Sequence, residues 1–172
     1  MQTMKKLEEI AWSGLSIASG CADNIPQALH GLVSPDENVR KRSYWQLDNR
    51  VVLQADLYEA AYFVVPFLIQ LLDEKVAHGR DLIYDLVFEI ANGYAPESVR
   101  CRTIEGDELS LKAACEREVR KGLPVFRRDL SDDDPRVKAT SHDLLDLLAS
   151  IQQDNGKVPG PQHSFSKAIN ET

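Results

Sequence analysis

The chain has 172 residues, 43% of them hydrophobic, and a formal net charge of -7. This length and composition favour one domain with its own core. The negative charge argues against a nucleic-acid partner, because binding to phosphate backbones normally needs clustered lysine and arginine. Three cysteines without a close pair indicate neither a disulfide framework nor a CxxC metal site.

A cytoplasmic location without membrane contact is expected. No uninterrupted apolar run follows the lysines near the start of the chain, so we predict no export signal. The longest apolar stretch, 60–72, is too short to cross a bilayer. Residues 1–154 are predicted to form one helical domain that opens with a leading helix near 3–18. Residues 155–172, which hold two glycines and two prolines, are predicted to form a flexible tail.

The first predicted helical hairpin joins helices over 25–32 and 35–50. Its turn reads Ser34-Pro35-Asp36-Glu37. We interpret the serine as an N-cap, the proline as the first helical residue and the glutamate as the closing member of a capping box.

Two further hairpins are predicted. The second joins 57–73 to 79–92, and the third joins 108–130 to 135–152, where Asp134-Pro135 supplies a cap followed by proline. Gly122 is a point at which the long helix of the third hairpin can split. Residues 93–106 are predicted to be a surface loop. No segment alternates like a strand over a useful length, so no strand is predicted.

The hairpins look like copies of one unit. A shift of 98 positions matches seven residues of the first hairpin to identical residues of the third, and the first members of the matched pairs are Pro26, Leu32, Asp36, Val39, Ser43, Leu47 and Asp48. Pro66 marks a looser middle copy, 40 residues after Pro26, a spacing within the range of HEAT and armadillo units. The pattern predicts an all-α fold, a short α-solenoid of about three HEAT-like hairpins with a leading capping helix.

The stretch 32–92 also resembles small bacterial HEAT-repeat proteins. The resemblance is carried by Val39-Arg40, Leu57-Tyr58-Glu59-Ala60-Ala61, Val65-Pro66-Phe67-Leu68 and Leu71-Leu72. Members of that group frequently sit beside toxins as immunity proteins. The resemblance therefore implies a non-enzymatic protein that binds and neutralises a cognate toxin or effector domain. General scaffolds and lyase-like adaptor modules are built from the same repeat, and this alternative stays open.

In such a solenoid the second helices of the hairpins line one surface, which predicts the binding residues. An acidic stripe at i, i+4 and i+8 is formed by Asp81, Asp85 and Glu89. The corresponding outward positions of the other two second helices are Arg40, Tyr44, Asp48, Lys138, His142 and Asp146. If the target has a basic active-site cleft, these carboxylates can take the place of phosphates. Trp45, next to the stripe, is predicted to belong to the core.

An enzyme is the third reading, and the residues favour it least. Ser141-His142-Asp143 contains the residue types of a catalytic triad, yet consecutive helical residues point about 100° apart and cannot form a relay. Cys101 lies between Arg100 and Arg102, which would favour a thiolate, but no histidine is placed beside it. The histidine spacings predict no metal site, and no cofactor is expected.

Overall fold

In the computed structural model of the protein, the described part of the chain runs from residue 7 to residue 155. Within that range the fold is mostly helical. The helices are α1 (Ile25–Gly31), α2 (Glu37–Val51), α3 (Glu59–Asp73), α4 (Arg80–Asn92), α5 (Leu111–Lys121), α6 (Leu123–Asp129) and α7 (Pro135–Asn155). The predicted all-α class is therefore confirmed at this coarse level. The tail predicted over 155–172 lies, apart from its first residue, outside the described residues.

The helix bounds follow the internal similarity of the sequence. The bounds of α1 shifted by 98 positions are those of α6, and the first residue of α2 shifted in the same way is the first residue of α7. Equivalent aspartates cap α2 and α7. Asp36 accepts a hydrogen bond from Asn38 N at 2.8 Å, and Asp134 accepts one from Arg136 N at 2.8 Å.

The cap predicted at Ser34 is wrong by two residues. Its hydroxyl accepts a hydrogen bond from Asp36 N at 3.2 Å, so the serine closes the turn, and α2 begins only at Glu37. The Asp134-Pro135 start of α7 lies where it was predicted. The difference arises because Asp36 is itself a strong N-cap that competes with the serine two positions earlier.

The leading helix predicted near 3–18 is wrong over its described part. A 3-10 turn over Trp12–Gly14 ends at Leu15, whose backbone is extended, and no helix continues from there to residue 18. The backbone bonds here to other elements, because Ala18 N donates to Arg50 O at 2.9 Å and Ala60 N donates to Ser16 O at 3.2 Å. Serines and glycines with low helix propensity favour such outside partners.

The expectation of no strand is also wrong. Two short antiparallel pairs are present, β1 (Val52–Leu53) with β2 (Asp56–Leu57), and β3 (Arg100–Arg102) with β4 (Glu108–Ser110). The second pair places a strand inside the loop predicted over 93–106 and another over the first three residues of the helix predicted from 108. Strands of two or three residues are too short for period-2 alternation to reveal them.

The β3–β4 hairpin is held on the helices by polar contacts. Ile104 N donates to the hydroxyl of the buried Tyr62 at 2.9 Å. Arg117 of α5 bonds to Glu105 at 3.1 Å and to Asp107 at 2.8 Å. These bonds fix the segment between α4 and α5 against the helices on either side.

Helix α4 lies at the centre of the packing. It contacts α2 on one side, α7 on the other, and α3 and α5 behind it. Helix α3 packs on α5, α1 packs on α2, and α6 packs on α7. As a result α2, α4 and α7 are consecutive neighbours, and one continuous core of buried side chains runs from α1 to α7. Among the described helices, none combines the length and apolar content needed to span a membrane.

Candidate functional site

The consecutive helices α2, α4 and α7 bring the predicted acidic residues together. We define the acidic face as Asp48 of α2 with Asp81, Asp85 and Glu89 of α4. The last three recur at four-residue intervals and therefore follow one side of α4. Asp48 joins them from the neighbouring helix, close enough for Glu89 to affect its pKa.

The pKa shifts of these groups indicate that they lie near one another on one surface. Partial burial, followed by the nearby charge of Glu89, raises the pKa of Asp48. Partial burial, then the charges of Asp81 and Glu89, raises the pKa of Asp85. Burial also raises the pKa of Tyr44 to about 12, and Asp48, Asp85 and Glu89 add to this effect. Burial is the first cause of each shift, and repulsion between neighbouring carboxylates adds to it.

Little positive charge offsets this repulsion. Among the salt bridges of the described residues, none reaches Asp48, Asp85 or Glu89. Asp81 has a single long contact, 3.5 Å from its Oδ2 to the guanidinium of the exposed Arg136. The acidic face therefore carries charge that its own helices leave uncompensated, which is the condition under which a cationic partner gains most.

Trp45 lies on the surface, so its predicted core position is wrong. Its side chain is 58% exposed, and its ring meets that of Tyr44 edge-on with centroids 5.1 Å apart. Leu47 of the same helix is fully buried and belongs to the core instead. A large aromatic side chain beside an acidic surface is the type of residue that dominates many protein interfaces.

Arg40, another predicted binding residue, makes contacts within the fold. Its guanidinium donates to the backbone oxygens of Ser34 at 2.7 Å and Pro35 at 2.9 Å. The side chain is therefore used to hold the turn between α1 and α2. Tyr44, one turn along the helix, is half-buried against the acidic face, as its pKa shift reflects.

Helix α7 carries the remaining predicted binding residues. Both His142 and Asp146 are exposed, with 3.3 Å between Nδ1 and Oδ2, and Lys138 is exposed as well. The residues of α7 that line a cleft against α4 are Thr140 and Asp143.

Sequence reasoning missed this meeting of α4 and α7. A cleft of about 200 Å³ lies between the two helices and is lined by Asp85, Phe88, Thr140 and Asp143. The i, i+3 spacing of each pair was visible in the sequence. The relative rotation of the two helices, which aims both pairs at one cleft, was not.

A second cavity, which sequence reasoning also missed, lies away from the acidic face. It measures about 620 Å³ and is largely apolar. Its lining includes Ile10, Leu15, Phe63, Pro66, Phe67 and Ile104. The last of these is 65% exposed at the tip of the β3–β4 hairpin. We refer to this cavity as the apolar groove.

A network of charged and polar side chains connects α4 to α6 around a buried carboxylate. We define the ionic cluster as Arg80, Tyr84, Arg128, Asp129 and Asp132. The carboxylate of the fully buried Asp129 accepts hydrogen bonds from Arg80 at 2.9 Å, Arg128 at 2.8 Å and the Tyr84 hydroxyl at 2.9 Å. Arg80 also reaches Asp132 at 2.8 Å. This cluster joins α4 to α6 and to the turn before α7.

The pKa shifts in the ionic cluster run opposite to those on the acidic face. Burial alone would raise the pKa of Asp129, but hydrogen bonds from Arg128, Tyr84 and Arg80 outweigh it and lower the pKa. The hydrogen bond from Arg80 likewise lowers the pKa of Asp132. Burial, then the hydrogen bond to Asp129, raises the pKa of Tyr84. These charges are compensated within the fold.

The residues considered for catalysis occupy unrelated positions. Ser141 is buried and donates its hydroxyl proton to Phe126 O, whereas His142 and Asp143 are exposed. Cys101 is buried, and burial raises the pKa of its thiol to about 11, which is contrary to the thiolate considered from the neighbouring arginines. Among the described residues, no group of three or more histidine, cysteine, aspartate and glutamate side chains is arranged to hold a metal ion.

No known family model matches the chain, and comparisons with curated proteins and with solved structures found no match either.

Proposed function

We propose that this chain is a short HEAT-type α-solenoid that works by binding a partner protein through its acidic face. In its specific form the proposal is an immunity protein that neutralises a cognate toxin or effector domain in the cytoplasm. The single observation that carries it is the uncompensated charge of Asp48, Asp85 and Glu89 on adjoining helices. Folding alone gives no reason to collect carboxylates that repel one another, whereas a basic partner does.

The order of helix packing supports the solenoid part of the proposal. The second helices α2, α4 and α7 are consecutive neighbours, and at a displacement of 98 residues the bounds of α1 match those of α6 and the start of α2 matches that of α7. Stacked hairpins of this kind offer a surface that runs across several repeats. A partner lying across it would contact three helices at once.

The exposed Trp45 supports the binding part. Its ring lies against Tyr44, and Tyr44 in turn adjoins the carboxylates of the acidic face. A patch that combines aromatic anchors with charge provides contact area and steering together. A toxin with a basic active-site cleft fits this chemistry, because carboxylates can occupy the place of substrate phosphates.

A growth assay tests the proposal. Bacterial cells produce the protein encoded by the adjacent gene, as the candidate toxin, together with either the wild-type chain or the variant Asp81→Lys, Asp85→Lys, Glu89→Lys. We expect the wild type to restore growth and the variant to fail, because reversed charges repel a basic surface. None of the three carboxylates is fully buried, and the one salt bridge among them is the 3.5 Å contact of Asp81, so the variant should keep its helical circular dichroism spectrum.

The matched control makes the same change in charge elsewhere. Asp23, Asp56 and Glu97 are exposed carboxylates outside the acidic face, and their joint replacement by lysine should leave rescue intact. Equal loss of rescue in both variants would assign the effect to net charge alone. Equal retention would remove the acidic face from the proposal.

A general scaffold is the second candidate, and the apolar groove favours it. The groove and the acidic face are lined by separate sets of residues, so one chain could hold two partners at once. A scaffold predicts that substitutions in the groove, such as Phe63→Ser, abolish binding of one partner and leave the other bound. An immunity protein of the proposed kind predicts that the acidic-face variant alone determines rescue.

A further inference from the structure

The cleft between α4 and α7 has walls of a consistent chemistry. Asp85 of α4 and Asp143 of α7 supply a carboxylate from each helix, and Phe88 supplies an aromatic ring that is half-buried. Thr140 completes the lining, with its hydroxyl already donating to the backbone oxygen of Arg136 at 3.0 Å. The hydroxyl therefore presents an oxygen acceptor to the cleft. Two anions, an acceptor and a ring face are complementary to a cation that can also stack.

The size of the cleft limits its occupant. Its volume of about 200 Å³ is below the roughly 300–1,000 Å³ typical of small-molecule sites. A single side-chain head group fits this space, whereas a nucleotide or a drug-sized ligand does not.

The local charges leave the cationic role open. Asp85 faces Asp81 and Glu89 on its own helix, and both of these are acidic. On α7 the group nearest to Asp143 is His142, with 3.9 Å between Nδ1 and Oδ1, and both side chains are largely exposed. The nearest arginine contact on this side is the long one between Arg136 and Asp81. Among the described residues, no lysine or arginine lines the cleft.

We infer that this cleft takes an arginine side chain of the partner protein, held between Asp85 and Asp143 and stacked on Phe88. The inference rests on the proposed function and names the chemistry that the partner must present. Arginine fits better than lysine because its planar guanidinium pairs with carboxylates through two parallel hydrogen bonds and stacks on an aromatic face. The partner is thus a basic protein with an arginine exposed at the centre of its binding surface.

The test uses a small probe and the full chain. The peptide acetyl-Gly-Arg-Gly-amide is titrated into isotopically labelled protein, and backbone amide shifts are followed by NMR. The matched probe replaces arginine by citrulline, which has nearly the same shape without the charge. We expect saturable shifts centred on Asp85, Phe88, Thr140 and Asp143 with the arginine peptide, and binding at least about tenfold weaker with the citrulline peptide, as loss of charged hydrogen bonds predicts.

Protein variants complete the test. The double variant Asp85→Asn, Asp143→Asn should weaken binding of the arginine peptide by about tenfold, whereas Asp146→Asn, which replaces an exposed aspartate of α7 that does not line the cleft, should change it less than twofold. Equal binding of both peptides, shifts centred elsewhere, or an unaffected double variant would each overturn the arginine cleft. The growth assay reports separately on the proposed function, because it does not depend on the peptide. Rescue without peptide binding would reject the cleft alone, and peptide binding without rescue would reject the toxin partner alone.

Discussion

The ionic cluster and the acidic face both concentrate aspartate, and they treat its charge in opposite ways. In the ionic cluster Asp129 is fully buried, accepts bonds from two arginines and a tyrosine, and has a lowered pKa. On the acidic face Asp85 is partly exposed, faces two like charges, and has a raised pKa. The fold supplies cations to the first aspartate and none to the second.

The difference separates carboxylates whose charge is paired within the fold from carboxylates whose charge is available to a partner. A buried carboxylate without partners would carry a large desolvation cost, so Arg80 and Arg128 are required where Asp129 lies. A surface carboxylate without partners costs little, because water solvates it. Repelling charges can therefore persist on α4, where they are available to a partner.

Asp129→Asn should have the largest effect. The amide keeps the shape of the side chain but leaves Arg80 and Arg128 without their shared anion, and breaking a buried ion pair in this way costs about 3 kcal/mol or more. Urea denaturation followed by circular dichroism measures the loss in the free energy of unfolding.

Asp73→Asn is the matched control. It removes another carboxylate from the same arginine, since Asp73 Oδ1 lies 2.9 Å from Arg128 Nη1, but it does so at the surface. We expect a loss of less than about 1 kcal/mol. Similar losses for the two variants would contradict the division between compensated and uncompensated regions.

Asp85→Asn should have a smaller effect of opposite sign. The substitution removes one charge from the i, i+4 contacts with Asp81 and Glu89, and each such like-charge pair is destabilising by about 0.2–0.5 kcal/mol. The free energy of unfolding should therefore rise by about 0.5 kcal/mol. A clear loss of stability in the same urea experiment would mean that Asp85 has a stabilising partner. The charge of the acidic face would then be compensated within the fold, contrary to the account.

The acidic face and the ionic cluster should change the stability in opposite directions as the pH falls. The change due to the acidic face, in the mildly acidic range, is the smallest effect expected. Raised pKa values mean that folded Asp48 and Asp85 bind protons more readily than in the unfolded chain. The cost of burying their charges, together with their repulsion, is therefore relieved as the pH falls from neutral toward the usual aspartate pKa of 3.8, and stability should rise slightly.

Below that range the ionic cluster should dominate. Lowered pKa values mean that Asp129 and Asp132 contribute stability that is present above 3.8 and is lost as the pH falls through their folded pKa values. Urea denaturation at steps from pH 7 to pH 2 measures the profile. In the Asp85→Asn variant the shallow rise should shrink while the acid loss remains. A wild-type profile that falls steadily from pH 7 would contradict the account.

The sequence predicted the hairpins well because their signals are local and repeated. The pattern that recurs after 98 residues and the Asp134-Pro135 cap can each be recognised within a short stretch of sequence. They located α1, α2, α6 and α7 to within a few positions. The acidic stripe on α4 was found for the same reason, since its spacing of four residues is a property of one helix.

The cap missed at Ser34 is a local competition with Asp36, whereas most of the other misses depend on contacts between distant segments. The segment predicted as the leading helix instead bonds its backbone to Arg50 and Ala60, and the β3–β4 hairpin is fixed by Tyr62 of α3 and Arg117 of α5. The exposure of Trp45 is set by how α2 lies on its neighbours. These features depend on tertiary contacts, which local propensity does not determine.

Asp129 illustrates the same limit within the repeat. It occupies the position equivalent to Gly31, 98 residues earlier, so one copy of the hairpin has a glycine where the other has the centre of the ionic cluster. At Gly31 an added Cβ would meet the side chain of the buried Ser43. At the later position Arg80 and Tyr84 of α4, with Arg128, supply bonding partners for a carboxylate.

Hydrogen exchange of the chain with and without the toxin domain identified by the growth assay tests the central claim most directly. We predict that the complex slows amide exchange along one side of α2, α4 and α7, with the strongest protection in 80–92, and leaves α3 and the β3–β4 hairpin unchanged. Protection confined to 59–73 and 100–110, around the apolar groove, would contradict the account and move the binding surface away from the acidic face.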